Sequence, residues 1–71
     1  MKTSVCAKLG RRIIFFRKKH NLTQEKLSEL SGIDYKYIQK IEGKNPPNLK
    51  LETIARLAKN LNVSLSKLLD I

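Results

Sequence analysis

The sequence predicts an all-α fold, a compact five-helix domain that spans residues 1–71. Apolar residues recur at helical spacing in five segments, and the N-capping residues Thr23, Asp34 and Ser64 stand directly before three of them. No stretch shows the period-two alternation of a β-strand. The expected helices cover about residues 4–20, 24–31, 35–43, 51–61 and 65–70.

The first helix is predicted from Leu9, Ile13 and Phe16, which lie at i, i+4 and i+7 on one face. Ile14 and Phe15 widen its apolar surface beyond that face. Two interpretations stay open for them: additional core contact with the fifth helix, or an exposed patch that supports self-association.

The second helix is expected to begin after Thr23, with Leu22 and Leu27 at the spacing of a hydrophobic staple. Leu27 and Leu30 are predicted to face the core. Gly32 is predicted to end the helix, because glycine adopts a positive φ without strain.

The third helix follows Asp34, and Ile33 with Ile38 repeats the staple spacing. Ile38 and Ile41 form its inner stripe, and Gly43 is expected to end it. Long polar and aromatic side chains form its outer face: Tyr35, Lys36, Gln39, Lys40 and Lys44.

Pro46 and Pro47 exclude helix from the next segment and predict a stiff connector. The fourth helix is expected to bury Ile54, Leu57, Ala58 and Leu61. Ser64 caps the fifth helix, whose apolar side is predicted to contain Leu65, Leu68, Leu69 and Ile71.

Charge points to a polyanionic partner. Fifteen Lys and Arg residues against six Asp and Glu residues give a net charge of +9, and residues 1–24 contain no acid. Such a positive field attracts nucleic acids and anionic surfaces alike, so charge alone leaves DNA, RNA and membrane open.

Several classes of function are not expected. Cys6 is the only cysteine, so neither an internal disulfide nor a cysteine metal cluster is predicted, and a cytoplasmic location fits. No nucleophile, base and orienting group can be assembled, so we expect no enzyme, no cofactor, no metal and no small-molecule substrate. No membrane span or secretory signal is expected.

The segment 23–43 carries the functional prediction. Two short helices joined by a tight turn project the second one from the body, and a projecting helix fits a DNA major groove about 12 Å wide.

Residues 23–32 (TQEKLSELSG) and 37–44 (YIQKIEGK) resemble the lambda repressor and Cro-type helix-turn-helix family. The run 51–65 resembles that family's fourth helix and its lead into the fifth. The resemblance covers roughly residues 9–69. It implies sequence-specific binding of double-stranded DNA as a homodimer on a palindromic operator, by a small bacterial or phage-type transcriptional regulator that we expect to be a repressor. A restriction-modification controller and an antitoxin are alternatives.

The resemblance also implies roles for individual residues. Gln24 matches a position that binds phosphate and braces the recognition helix, and Arg17 with Glu42 matches a partly buried salt bridge. The remaining positions implied near bases or the DNA backbone are Tyr35, Lys36, Tyr37, Gln39, Lys40 and Lys44. Asp34 departs from the pattern, because an acid beside phosphate is repulsive, and it is better interpreted as the helix cap.

We expect the dimer contact at the fifth helix, from Leu65, Leu69 and Ile71. Two other classes of function remain as alternatives. One is RNA binding, which the absence of an aromatic stacking platform disfavours. The other is membrane-surface binding by the first helix.

Overall fold

The computed structural model describes residues 4–71, so the first three residues of the expected domain lie outside the described range. Five α-helices and no β-strand occur in those 68 residues, and the all-α prediction is confirmed. The helices are α1 (Val5–Lys19), α2 (Gln24–Ser31), α3 (Tyr35–Ile41), α4 (Leu51–Asn60) and α5 (Leu65–Leu68).

Most of the observed helices end one or two residues earlier than predicted. The α3 helix shows the reason. The Gly43 N–H donates to the Lys40 carbonyl three residues back, so the last turn is tighter than an α-helix. Glu42 is therefore the cap of α3 rather than part of the helix.

Side-chain caps start the helices at the predicted residues. The Thr23 hydroxyl accepts the Lys26 N–H at 3.0 Å, the Asp34 carboxylate accepts the Lys36 N–H at 3.1 Å, and the Ser64 hydroxyl accepts the Lys67 N–H at 3.1 Å. Ser4 caps α1 in the same way. Each cap satisfies a backbone donor that has no partner within the helix.

The α2 helix ends at Gly32, which lies in the left-handed region with φ of 73°. Two asparagines, Asn21 and Asn62, follow α1 and α4 with φ of 57° and 58°. Asparagine is one of the few residues with a side chain that adopts this conformation readily. Left-handed residues therefore reverse the chain after three of the five helices.

One buried cluster joins all five helices. The α2 helix packs against α3 and α4, α1 packs against α3 and α5, and α4 packs against α5. The buried apolar residues are Leu9, Ile13, Phe16, Leu27, Ile33, Ile38, Ile41, Ile54, Leu57, Ala58, Leu61 and Leu68.

The structure corrects the expected position of Leu30 and decides between the two interpretations of Phe15. Leu30 was expected to face the core, but it is 49% exposed. The buried face of α2 is centred on Leu27 and Ser31, and Leu30 lies about 100° from Ser31 around the helix axis. Phe15 is 56% exposed, so the core interpretation of Phe15 is wrong, whereas Ile14 is half-buried.

Within residues 4–71, every helix is too short or too polar to cross a bilayer.

Candidate nucleic-acid interface

The turn between α2 and α3 is fixed by two serine hydroxyls. Ser31 Oγ donates to the Leu27 carbonyl at 2.7 Å and accepts the Ile33 N–H at 3.2 Å. Ser28 Oγ donates to the Ile33 carbonyl. Both backbone groups of the buried Ile33 are therefore paired, which helps to hold α3 at one angle to α2.

The α3 helix has one buried and one exposed side. Ile38 and Ile41 are fully buried. Tyr35, Lys36, Gln39 and Lys40 are all exposed and occupy one continuous arc of about 140° around the helix axis. The structure thus brings together the residues predicted to reach base edges.

This arc presents mainly hydrogen-bond donors. The Gln39 amide nitrogen donates to the Tyr35 hydroxyl oxygen at 3.2 Å, one turn back along α3. The hydroxyl hydrogen of Tyr35 and the amide oxygen of Gln39 then remain for an external partner. Neither Lys36 nor Lys40 forms an ion pair with any residue in the described range 4–71.

The other predicted contacts flank this arc. Tyr37 is half-buried and packs against the core, so only part of its ring is available to a partner. Lys44 is exposed in the connector after α3. Asp34 accepts the Lys36 N–H as the cap of α3, as the sequence suggested.

A network of charged and polar groups ties α1 and α2 to the end of α3. Arg17 Nε donates to Glu42 Oε2 at 2.7 Å, and Arg17 Nη2 donates to Glu42 Oε1 at 2.9 Å. Arg17 Nη1 donates to the Leu22 carbonyl at 2.7 Å. The two charged side chains are only 11% and 4% exposed, so this pair lies largely out of water.

Gln24 joins the same network, in keeping with the bracing role that the resemblance implied for it, although the sequence did not identify Glu42 as its partner. Its amide nitrogen donates to Glu42 Oε1 at 2.9 Å. An amide NH₂ has two donors, so one N–H can hold Glu42 while the other donates to a phosphate. Gln24 therefore has both a structural partner and a free donor at the start of α2.

Gly10 is a positioning residue that the sequence analysis missed. A Cβ atom at this position would lie 2.5 Å from the Ile41 carbonyl oxygen and so would collide with the α3 backbone. A glycine in the middle of a helical pattern was the available signal, because it usually has a packing reason.

Two further long-range hydrogen bonds could not be anticipated. Arg12 Nη2 donates to the Lys67 carbonyl at 2.5 Å and ties α1 to α5. Cys6 Sγ donates to Asn48 Oδ1 at 3.0 Å and ties α1 to the proline-containing connector. These contacts hold the frame from which α3 projects.

The residues predicted to form the dimer contact differ in how far they are exposed. Leu65 and Leu69 are half-buried and pack against the core, so each presents only part of its side chain. Ile71 is 45% exposed. This end of the chain therefore carries some uncovered apolar surface beside α5.

Comparison with known proteins assigns this arrangement to a family. The helix-turn-helix family model matches residues 13–68. The control protein C.SmaI of Serratia marcescens is 43% identical over 61 residues, which cover 86% of this chain and 71% of that protein.

Solved structures show the same fold. The restriction-modification controller protein C.AhdI of Aeromonas hydrophila superposes with a TM-score of 0.82 at 33% identity, covering 89% of this chain and 94% of that one. C.Esp1396I, bound to a 19 base pair DNA duplex, has a TM-score of 0.85 at 29% identity over 96% of this chain and 89% of that one. The chain therefore belongs to the lambda repressor/Cro-like helix-turn-helix family, with restriction-modification controller proteins among its relatives.

Proposed function

We propose that the protein binds double-stranded DNA sequence-specifically as a homodimer on a palindromic operator and regulates transcription. The observation that carries the proposal is the exposed arc of Tyr35, Lys36, Gln39 and Lys40 on α3. The opposite side of α3 is anchored by buried isoleucines and by Glu42. A rigid, projecting, donor-rich helix is what reading a major groove requires.

The exposed arc of α3 enters the major groove in this proposal. Lys36 and Lys40 can donate to guanine O6 and N7, and Tyr35 can contact a thymine methyl group or a phosphate. Gln24 and Lys44 flank the arc and donate to the DNA backbone. Lysine is a flexible point charge, so each half-site is read with modest discrimination.

The net charge of +9 provides the non-specific part of the binding. Lysine and arginine contacts to phosphate release counterions, so affinity falls steeply as salt concentration rises. The specific part comes from the few residues that touch base edges. The salt dependence of binding measures the number of phosphate contacts separately from sequence preference.

Homodimer formation provides the remaining specificity. Two copies related by a twofold axis would place their α3 helices in major grooves about 34 Å apart, one turn of DNA. The proposed contact involves Leu65, Leu69 and Ile71, which lie at and beside α5. The spacing between half-sites then selects the operator.

The relatives favour a particular kind of regulator. C.AhdI is a restriction-modification controller and C.Esp1396I is seen on a DNA duplex. We therefore favour a controller role over an antitoxin or a general operon repressor. The protein acts by binding in the cytoplasm and not by catalysis.

Selection of duplexes from a random pool tests the proposal. We expect a palindrome whose half-sites are about one helical turn apart. Lys36→Ala and Lys40→Ala should weaken binding to it, whereas Lys59→Ala, an exposed lysine late in α4, should not. Equal affinity for random duplex RNA and duplex DNA at physiological salt would overturn the proposal in favour of RNA binding.

A further inference from the structure

A cationic groove runs along the outer face of α1. It has a volume of about 350 Å³, and its lining residues are Lys8, Arg11, Arg12, Phe15 and Ile71. Phe15 contributes an exposed aromatic ring to this lining. Lys19 completes the rim, with its Nζ 6.0 Å from the centre of the Phe15 ring.

The groove faces away from the recognition helix. Gly10 and Arg17 mark the side of α1 that contacts the end of α3. At 100° per residue, Phe15 lies about 140° from Gly10 and about 160° from Arg17 around the axis of α1. A ligand in this groove and a duplex on α3 therefore occupy opposite sides of α1.

The Phe15 ring is held in place although it is exposed. It packs edge-on against the buried Phe16, with ring centres 5.1 Å apart and planes at 78°. Arg12 lies over the other ring of this pair, 5.0 Å from the centre of Phe16. A fixed aromatic ring provides apolar contact area at a small cost in side-chain entropy.

The cations around the ring have no acidic partner within residues 4–71. The ion pairs in that range are Arg17–Glu42 and Lys26–Glu29, neither of which involves the groove. Arg12 uses one guanidinium nitrogen on the Lys67 carbonyl, and its Nε is buried without a hydrogen-bond partner. The groove thus combines cations that have no ion-pair partner in that range with two apolar lining residues, Phe15 and Ile71.

We propose that this groove binds an acidic segment of a partner protein, with one aromatic or aliphatic side chain of that segment seated against Phe15. A second copy is disfavoured along the α1 wall of the groove, because a contact there would bring together two clusters of like charge, each of Lys8, Arg11, Arg12 and Lys19. Ile71 lines the groove and is also part of the proposed dimer contact, so the acidic segment is assigned to the α1 wall alone. A bilayer does not fit either. Leu9, Ile13 and Phe16 are buried in the core, the exposed Val5 lies ten residues before Phe15 at the start of α1, and one ring offers little area for insertion. The proposal goes beyond DNA binding and does not depend on it.

The test uses short labelled peptides and the isotope-labelled whole protein. One peptide consists of glutamates around a single phenylalanine, and its control has serine in place of the phenylalanine. We expect the first peptide to shift amide resonances of Lys8, Arg11 and Phe15 and to leave those of Lys36 and Lys40 in place.

The matched variants are Phe15→Ala and Leu30→Ala, two exposed apolar side chains on different helices. Phe15→Ala should lower the affinity for the phenylalanine-containing peptide by about tenfold, and Leu30→Ala should leave that affinity unchanged. Arg11→Glu should lower the affinity for both peptides. Lys59→Glu, the same charge change outside the groove, should lower each affinity less.

Five results would overturn the proposal. Equal affinity of the two peptides, or no effect of Phe15→Ala, would show that the groove only attracts negative charge non-specifically. Resonance shifts confined to α3 would place the acidic ligand on the DNA-reading face. A lower sedimentation coefficient for Phe15→Ala would identify a contact between copies. Binding to vesicles of anionic lipid that Phe15→Ala abolishes would identify a membrane surface.

Discussion

Arg17 donates to both carboxylate oxygens of Glu42, through Nε at 2.7 Å and Nη2 at 2.9 Å. This bidentate pair joins α1 to the cap of α3, 25 residues further along the chain. Because Glu42 is 4% exposed and also accepts a hydrogen bond from Gln24, its charge is compensated from two helices. One carboxylate therefore ties the C-terminal end of the recognition helix to both α1 and α2.

Replacing Glu42 with alanine leaves the Arg17 guanidinium largely buried without its counter-charge. Removing one partner of a buried ion pair destabilises the fold by more than the intact pair stabilises it, because the remaining charge is left buried and unpaired. We expect Glu42→Ala to lower the free energy of unfolding by about 3 kcal/mol, as measured by urea denaturation.

The control is the exposed pair Lys26–Glu29. Lys26 Nζ lies 3.3 Å from Glu29 Oε1, and the two side chains are 55% and 73% exposed. Glu29→Ala should change the free energy of unfolding by less than about 0.5 kcal/mol. Equal losses for Glu42→Ala and Glu29→Ala would show that Glu42 contributes no more than a surface charge.

Gly10→Ala tests the close approach of α1 to α3. Alanine is favoured over glycine in a helix by about 1 kcal/mol, so helix propensity alone predicts stabilisation. The new Cβ would lie 2.5 Å from the Ile41 carbonyl oxygen, and such overpacking costs about 1–3 kcal/mol. We expect a net loss of stability, together with weaker operator binding because α3 is displaced.

An unfolding curve for Gly10→Ala decides between these two effects. Lys18→Ala, a change to an exposed residue on the same helix, should stay within about 0.5 kcal/mol of the parent. If Gly10→Ala proves more stable than the parent, the close contact with Ile41 does not constrain the fold.

The sequence predicted the helices well because their signals are local. The N-caps Thr23, Asp34 and Ser64 act within three residues of themselves, and apolar periodicity identifies the buried face of a long helix. The eight-residue α2 has too few turns for that pattern to be unambiguous, and Leu30 was therefore assigned to the wrong side.

The tertiary contacts that support the site were harder to predict. The Arg12 bond to the Lys67 carbonyl spans 55 residues, and the clearance at Gly10 depends on a backbone atom of another helix. Neither leaves a periodic trace in the sequence. The family resemblance implied both the Arg17–Glu42 pair and a bracing role for Gln24, whereas the structure identified Glu42 as the group to which Gln24 donates.

Lys40→Ala separates base reading from phosphate binding. Lys40 lies at one edge of the exposed arc of α3, about 140° from Tyr35 around the helix axis, and has no salt-bridge partner within the described residues. If it contacts a base, we expect a loss of about 1–3 kcal/mol on the selected operator and relaxed preference at one position. Competition binding against single-base variants of the operator measures both effects, with Lys59→Ala as the control.

A uniform loss across all sequences, with a shallower salt dependence, would assign Lys40 to phosphate contact. Base reading would then rest on Tyr35, Lys36 and Gln39. Tyr35→Phe probes this alternative, because it removes the hydroxyl that accepts the Gln39 amide hydrogen bond and retains the ring.

Ile71→Glu tests the predicted dimer contact without disturbing the core. Ile71 is 45% exposed, so a charge there remains hydrated in the monomer, but it would be desolvated in an apolar interface. We expect the variant to sediment as a monomer and to lose affinity for the full palindrome while it keeps its weak affinity for a half-site.

Leu30→Glu provides the matched control, since Leu30 is 49% exposed on α2 and lies outside the predicted contact. It should sediment like the parent protein. A parent chain that sediments as a monomer at high micromolar concentration, both free and on its operator, would contradict the dimer itself. A dimeric Ile71→Glu variant would instead move the contact away from this end of the chain.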